Sequence, residues 1–148
     1  MKNIKKQKIQ VKYFSDEIEP IKEISCGDWI DLRAAKDMEI KKDSFALIPL
    51  GVGMILPKGY EALLLPRSST FKKFHIIQAN GMGVIDESYC GDNDQWCMPV
   101  YAVEDTVIHL NDRICQFRII EHQPSLSFEQ VDKLCDTDRN GFGSTGVQ

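Results

Sequence analysis

Apolar residues along the chain occur in short runs separated by turn-forming residues, and not at the roughly 3.6-residue period of long helices. Near the N-terminus, Ile9, Val11 and Tyr13 alternate with polar neighbours, which is typical of a half-buried strand. Further apolar runs, each closed by turn or charged residues, span 45–50, 53–56, 60–65, 97–103, 106–110 and 114–121. Many short strands at intervals of roughly 8–12 residues predict an all-β sandwich or jelly roll.

One short helix is predicted directly after Pro66 and Arg67. The segment 68–70 offers three hydroxyl side chains as N-cap candidates, and Phe71 and Phe74 would fall on one face of the helix. The free N–H groups at the start of such a helix would form a site for an anion.

The composition changes at the C-terminal end of the chain. Residues 136–148 are rich in glycine and polar residues, and Phe142 is their one large apolar side chain apart from a terminal valine. Such a segment cannot form a core of its own. We therefore expect one β-domain over residues 1–135 and a flexible lid segment over 136–148, which is either frayed or held by something that it binds.

Composition and charge exclude several classes of protein. With 148 residues, 43% of them hydrophobic, the chain is long enough for one core and too apolar for a disordered protein. Its 18 Lys+Arg against 22 Asp+Glu leave no basic excess for sequence-independent binding to nucleic acid. Five cysteines without a CxxC pair indicate free thiols in a reducing cytoplasm, and neither a zinc site nor a disulfide framework. No apolar run has the length of a signal peptide or a membrane span.

Five clusters of residues carry chemistry that a plain β-domain does not need, and the first two suit a metal ion and a phosphate. In the segment 27–34, Asp31 lies in an apolar stretch, where it is either a turn-capping carboxylate or a ligand for hydrated Mg²⁺. In the segment 66–69, a guanidinium and two hydroxyls offer donors to phosphate oxygens, although an ordinary capped turn has the same residues.

The third cluster, residues 80–91, is the most informative. Gly81 and Gly83 suit a tight hairpin whose bare backbone could approach a flat ligand. Asp86 follows in a largely apolar setting, where a carboxylate could take a proton from water, and Tyr89 offers a ring face for stacking against a sugar. The alternative is a plain hairpin with a solvated Asp86.

The fourth and fifth clusters lie closer to the C-terminus. Residues 111–116 form a predicted turn that opens a strand and places Gln116 among apolar neighbours, where a strand amide usually serves a backbone group. Residues 139–146 combine an arginine, glycines, hydroxyls and one aromatic side chain. That composition suits a lid that stacks on a base and clasps a phosphate, and disorder is the alternative.

Taken in order, the five clusters resemble the five sequence motifs of the homotrimeric deoxyuridine triphosphatases (dUTPases). The similarity runs from about Gly27 to Gly146, and its most specific parts are PRSS at 66–69, GVIDESYCG at 83–91, DRICQF at 112–117 and GFGSTG at 141–146. The resemblance implies a jelly-roll β-barrel with one short helix and a homotrimer whose sites are shared between subunits. It also implies hydrolysis of dUTP to dUMP and pyrophosphate with Mg²⁺ on the triphosphate, which limits uracil in DNA.

The resemblance further implies roles for individual residues. Asp86 would be the base that activates the attacking water, Tyr89 would stack on deoxyribose and exclude a 2′-hydroxyl, and Asp31 would hold Mg²⁺ through water. The other implied contacts are with the substrate. The 80–85 hairpin, with Asn80, Gly83 and Ile85, would recognise uracil, and Phe142 would close over it. The phosphate chain would be bound by Arg67, Ser68 and Gln116, with Ser69 beside them, and the γ-phosphate by Arg139, Ser144 and Thr145, with Gly143 directly before Ser144.

Departures from the family pattern leave alternatives open. Asp28 lies close enough to Asp31 to compete with it for the metal-holding role. Arg139 lies nearer to the following glycines than is usual in the family. Trp96, after the third motif, is either a core residue or a wall of the nucleotide site.

Two other functions fit parts of the same sequence. A dCTP deaminase shares the fold and a PRSS-like segment, but it needs an acid/base glutamate in the pocket, where this chain offers Asp86. A dUTPase-like regulatory protein, in which bound nucleotide switches an interface with a protein partner, is the other alternative.

Overall fold

The computed structural model describes residues 6–23 and 25–142. Within these residues, short strands alternate with turns, and one five-residue helix, α1 (Thr70–Phe74), interrupts them. The strands, in chain order, are β1 (Gln10–Tyr13), β2 (Ile30–Arg33), β3 (Met38–Ile40), β4 (Phe45–Pro49), β5 (Val52–Ile55), β6 (Tyr60–Pro66), β7 (Ile76–Gln78), β8 (Gly83–Ile85), β9 (Cys97–Ala102), β10 (Thr106–Ile108) and β11 (Arg113–Glu121). The predicted all-β fold with one short helix is confirmed.

The apolar runs that the sequence marked as strands all form strands, namely β1, β4, β5, β6, β9, β10 and β11. The sequence pattern missed β2, β3, β7 and β8, which are only three or four residues long. Each of these pairs with a strand that is not its neighbour in the chain. These four strands are therefore determined by pairing with strands distant in the chain and not by their local sequence pattern.

The described strands pair in antiparallel fashion and form two larger sheets and two strand pairs. The larger sheets have the orders β2-β11-β6-β8 and β4-β9-β7, and the pairs are β1-β5 and β3-β10. Within the described residues these pairings do not close into a continuous hydrogen-bonded barrel. The strand β11 lies between β2 and β6, at the centre of the largest sheet.

The apolar core collects side chains from both larger sheets, including Leu64 of β6 and Val100 of β9. Trp96, directly before β9, is 1% exposed. Its ring packs edge-on against Phe117 of β11, with centroids 5.4 Å apart and ring planes at 89°. Trp96 is therefore a core residue, and it also lines a cavity together with Asp86 and Tyr89, so the two alternatives are not exclusive.

The chain continues after β11 without a helix or strand as far as residue 142, and residues 123–142 are all exposed. The apolar side chains of Phe128 and Leu134 are among those left in solvent. None of the helices in the described residues has the length and apolar character needed to cross a membrane.

The substitution Val100→Ala should lower the free energy of unfolding by roughly 1–3 kcal/mol, because it removes two methyl groups from a fully buried site and leaves a cavity. Val107 of β10 is 48% exposed and is the matched control, where the same change should cost less than about 0.5 kcal/mol. Urea unfolding followed by tryptophan fluorescence measures both. Equal losses at the two positions would contradict the core described above.

Candidate functional site

Three strands of the largest sheet bring Asp31, Arg67 and Gln116 together. Gln116 of the central strand β11 lies opposite Asp31 of β2 and opposite Leu65 of β6. Arg67 follows directly on the last residue of β6, Pro66, whose carbonyl accepts a hydrogen bond of 3.1 Å from Gln116 Nε2. Three of the clusters seen separately in the sequence therefore meet at one end of β6.

Two arginine side chains flank the carboxylate of Asp31. Arg67 Nε lies 2.9 Å from Asp31 Oδ1, and Arg113 Nη1 lies 3.4 Å from Asp31 Oδ2. Arg67 Nη1 also donates to the carbonyl of Arg113 at 3.2 Å. Two cations around one carboxylate leave a positive balance, which suits a polyanionic ligand.

Asp28, the other candidate for the metal-holding role, lies elsewhere on the surface. Its carboxylate pairs with Arg118 Nη2 at 2.9 Å, and that guanidinium lies over the ring of Trp29. Asp31, and not Asp28, therefore shares a cluster with Arg67 and Gln116.

The backbone at Arg67 is held by a buried hydroxyl that the sequence analysis treated only as a cap candidate. Thr70 is 1% exposed; its Oγ1 accepts from Arg67 N at 2.9 Å and donates to the Ile114 carbonyl at 2.8 Å. Ser69 is the N-cap residue of α1 but makes no side-chain cap hydrogen bond, and Ser68 is exposed. The two serine hydroxyls thus have no capping role.

Residues 80–85 do not form the predicted two-stranded hairpin. The strand before them, β7, pairs with β9, whereas β8, which forms the second half of the segment, pairs with β6. The segment is therefore a turn over 79–82 followed by β8, and it carries the chain from one sheet to the other. Gly81 has φ +69°, a backbone conformation that favours glycine, and a Cβ at Gly83 would lie 3.0 Å from the Leu64 Cβ, so a larger residue at Gly83 would be crowded.

The side chain of Asp86 is 61% exposed, so its carboxylate has more contact with solvent than the apolar neighbours in the sequence suggested. Ser88 N donates to Asp86 Oδ2 at 2.8 Å, and the Ser88 hydroxyl donates to the same oxygen. His122 Nε2 lies 3.9 Å from Asp86 Oδ1. The Ser88 hydroxyl first, and then the Ser88 backbone N–H, lower the pKa of the Asp86 carboxyl, so it is ionised at neutral pH.

Asp86 and Tyr89 line one cavity of about 570 Å³ together with Asn80, Gly83 and Ile85. Its apolar wall comes from both larger sheets and includes Leu47, Leu64, Trp96 and Pro99. Tyr89 Oη donates to the Gln95 carbonyl at 3.2 Å, and desolvation is the first cause of a raised pKa of the Tyr89 hydroxyl. The tyrosine is therefore a neutral, anchored ring beside an ionised carboxylate.

The remaining candidate residues do not line this cavity. Asp31 and Arg113 border a different one, of about 290 Å³, which residues of β2 also line. Arg139 and Phe142 lie in the exposed C-terminal segment. Gly143, Ser144 and Thr145 lie outside the described residues. A single chain thus holds two separate groups of candidate residues.

Ser88 and Arg113 belong to these groups although the sequence did not indicate it, and neither did it indicate the structural role of Thr70. An Asp-x-Ser spacing is a known turn signal, so the bond between Ser88 and Asp86 had a local signature. The bond from Thr70 had none, because its partner Ile114 lies 44 positions along the chain. Cys115, behind Asp31, is a buried thiol whose pKa is raised by desolvation, so it is not a nucleophile.

Comparisons with known proteins agree with the resemblance. Residues 27–146 match the family model for dUTPase. The chain is 56% identical to the SPbeta prophage-derived deoxyuridine 5′-triphosphate nucleotidohydrolase YosS of Bacillus subtilis (strain 168), over 95% of this chain and 99% of that protein. It is 35% identical to the deoxyuridine 5′-triphosphate nucleotidohydrolase of Finegoldia magna, over 93% of this chain and 99% of that protein.

Solved structures share the fold at lower sequence identity. A mutant of the Staphylococcus bacteriophage 80alpha dUTPase with dUpNHpp has a TM-score of 0.77 at 21% identity, covering 96% of this chain and 100% of that one. The dUTPase from Streptococcus mutans has a TM-score of 0.70 at 22% identity, covering 82% of this chain and 100% of that one. At these identities the likeness concerns the fold.

The substitution Ser88→Ala should raise the pKa of Asp86 towards its ordinary value, because the hydroxyl that stabilises the carboxylate is the largest cause of the lowered pKa. Ser88→Thr, which keeps the hydroxyl, is the control. Carboxyl ¹³C NMR titration of Asp86 in the three proteins measures the change. An unchanged titration midpoint in Ser88→Ala would mean that the backbone N–H alone sets the pKa.

Proposed function

The chain belongs to the dUTPase family, and from this premise we propose that it hydrolyses dUTP to dUMP and pyrophosphate. The observation that carries the proposal is the cavity that the ionised Asp86 and the ring of Tyr89 line together. Such an activity limits the incorporation of uracil into DNA and supplies dUMP for dTMP synthesis.

Asp86 is the general base of the proposed reaction. An ionised carboxylate accepts a proton from water, and the water oxygen forms a bond to the α-phosphorus. The bond between the α-phosphorus and the oxygen that bridges to the β-phosphate breaks, and pyrophosphate leaves. The two hydrogen bonds from Ser88 hold Asp86 Oδ2, and Oδ1, which lies 3.9 Å from His122 Nε2, binds the water. The lowered pKa keeps this base ionised into mildly acidic solution.

The cavity wall supplies the proposed nucleoside contacts. The ring of Tyr89, fixed through its hydroxyl to the Gln95 carbonyl, stacks on deoxyribose and leaves no room for a 2′-hydroxyl. The 80–85 segment, with Asn80, Gly83 and Ile85, recognises the pyrimidine base. A site whose polar groups are left unpaired by the wrong base discriminates strongly.

The second group of residues supplies the proposed phosphate contacts. Arg67, Ser68, Ser69 and Gln116 bind the phosphate chain, which suits the positive balance around Asp31. The described residues contain no cluster of three or more histidine, cysteine or acidic side chains that could hold a metal ion alone. A single carboxylate beside a phosphate site does fit Mg²⁺, which prefers one or two carboxylates together with phosphate oxygens. When bound, Mg²⁺ would neutralise charge on the triphosphate, with Asp31 holding it through water.

A homotrimer would complete the site. The Asp86 group and the Asp31 group are separate in one chain, so each site needs residues from more than one subunit. The outer face of the sheet β4-β9-β7 supports this, because Phe45, Leu47, Ile77 and Tyr101 are all exposed there and form an apolar surface beside the cavity. The C-terminal segment of a third subunit, with Arg139, Phe142, Gly143, Ser144 and Thr145, would close over the nucleotide.

The proposed setting is the cytoplasm. All five cysteines are free, three of them exposed, which suits a reducing compartment.

The proposed reaction predicts selective conversion of dUTP. Incubation with dUTP, dCTP, dTTP or UTP, each with and without Mg²⁺, and chromatography of the products should show dUMP and pyrophosphate from dUTP with Mg²⁺, with much slower turnover of the others. Consumption of dCTP would indicate a deaminase. Inertness towards all four nucleotides would favour a regulatory protein.

The substitution Asp86→Asn should lower kcat for dUTP by roughly 10²–10⁴-fold, because it removes the base and keeps the shape of the side chain. Binding of a non-hydrolysable dUTP analogue, measured by calorimetry, should remain within about tenfold of wild type, because the nucleoside and phosphate contacts are untouched. Near-wild-type turnover in Asp86→Asn would remove Asp86 from the mechanism.

A further inference from the structure

Gln78, the last residue of β7, is one of two buried polar side chains in the described part of the chain, and it is 4% exposed. Burial of an amide costs free energy unless its groups are hydrogen-bonded, so its partners are informative. Gln78 Nε2 donates to the Leu64 carbonyl at 3.1 Å and to Asn80 Oδ1 at 2.9 Å. Gln78 Oε1 has no partner within the described residues.

The Leu64 carbonyl determines which way round the Gln78 amide lies. A backbone carbonyl can only accept, so the group of Gln78 that faces it must be the NH₂. The second hydrogen of that NH₂ points at the side chain of Asn80, which must therefore present its own oxygen. The orientation of the Asn80 amide is thus set by two hydrogen bonds that begin at the backbone of β6.

This orientation decides what Asn80 offers to a ligand in the cavity that it lines with Asp86 and Tyr89. Its Oδ1 is turned towards Gln78, so the group on the side away from Gln78 is the donor Nδ2. Uracil carries a carbonyl oxygen at the ring position where cytosine carries an amino group. A fixed donor at that position pairs with uracil and is left facing another donor by cytosine.

We propose that Gln78 is a positioning residue that fixes the amide of Asn80 with its donor towards the base, and that this selects uracil over cytosine. The inference rests on the proposed function and deepens it by naming the residue that sets base specificity. Gln78 itself does not line the cavity.

Gln78 is also well placed to hold the turn that carries Asn80. The Gln78 carbonyl accepts from Gly81 N at 3.2 Å, and Met82 N donates to the Asn80 carbonyl at 2.7 Å. A Cβ at Gly83 would lie only 3.4 Å from Gln78 Nε2, so the buried amide packs directly against the backbone of the turn. The side chain of Gln78 therefore holds the side chain of Asn80, and its backbone carbonyl holds the next residue, Gly81.

The substitution Gln78→Met tests the inference by removing the donor while keeping a side chain of similar length. Without its partner the Asn80 amide is free to turn, so the ratio of dUMP to dCMP affinity should fall at least about tenfold. Isothermal titration calorimetry with dUMP and dCMP measures this ratio without turnover.

The substitution Gln78→Glu places an acceptor where the NH₂ stood. Even as a neutral carboxyl it has only one hydrogen, which the Leu64 carbonyl takes, so the Asn80 amide should turn its NH₂ inward and present Oδ1 to the base. The preference should then move towards dCMP, further than in Gln78→Met.

The substitution Val100→Ala is the matched control. Val100 lies opposite Gln78 in the register of β7 and β9, so this change loosens the same region of the core without touching Asn80. It should keep the dUMP to dCMP ratio within about twofold, and circular dichroism establishes that each variant is folded.

The inference is overturned if the folded Gln78 variants keep the wild-type ratio, or if Val100→Ala lowers the ratio as much as they do. Failure of the proposed function would appear separately, as an absence of dUTP hydrolysis in the wild-type protein.

Discussion

The position of β11 between β2 and β6 is the constraint on which the phosphate group of residues depends. Side chains alternate across a strand, so a slip of one residue would turn Gln116 towards the core and remove it from Asp31. A register shift between Arg113 and Cys115 breaks the alternation, and both Ile114 and Cys115 are fully buried as a result. This irregularity lets the strand fill the core at its start and still present Gln116 beside Asp31.

The two groups of residues differ in their electrostatics, and the difference matches different tasks. The carboxylate of Asp86 is exposed and accepts two hydrogen bonds from Ser88, which lower its pKa, so it is ionised and accessible at neutral pH. The carboxylate of Asp31 is held between Arg67 and Arg113, which compensate its charge. The first arrangement suits proton transfer, and the second suits a ligand that brings its own negative charge and its own metal ion.

Local pattern predicted those parts of the molecule that are determined locally. The apolar runs at 45–50 and 114–121 are long enough to predict β4 and β11. By contrast, β7 and β8 are three residues each and form only because they pair with other strands. The hairpin prediction for residues 80–85 was wrong for the same reason, since glycine spacing shows a turn but not which strands the flanking residues pair with. The apolar setting predicted for Asp86 describes the wall of its cavity, but the carboxylate is 61% exposed and lies 3.9 Å from His122 Nε2, a neighbour from the end of β11 that the local sequence does not show.

The buried amide of Gln78 shows how such a fold differs from one shaped by stability alone. A leucine or methionine would fill the same space without leaving Oε1 unpaired, a state that costs roughly 1–3 kcal/mol. The amide nitrogen donates both of its hydrogen bonds beside the 80–85 segment, one to the Leu64 carbonyl of β6, the strand that pairs with β8, and one to Asn80 itself. The buried amide thus costs free energy at Oε1 and, through the two hydrogen bonds of Nε2, fixes the orientation of Asn80 at the cavity wall. A core designed only for packing would leave that amide free to rotate, and with it the pattern of donors and acceptors presented to a base.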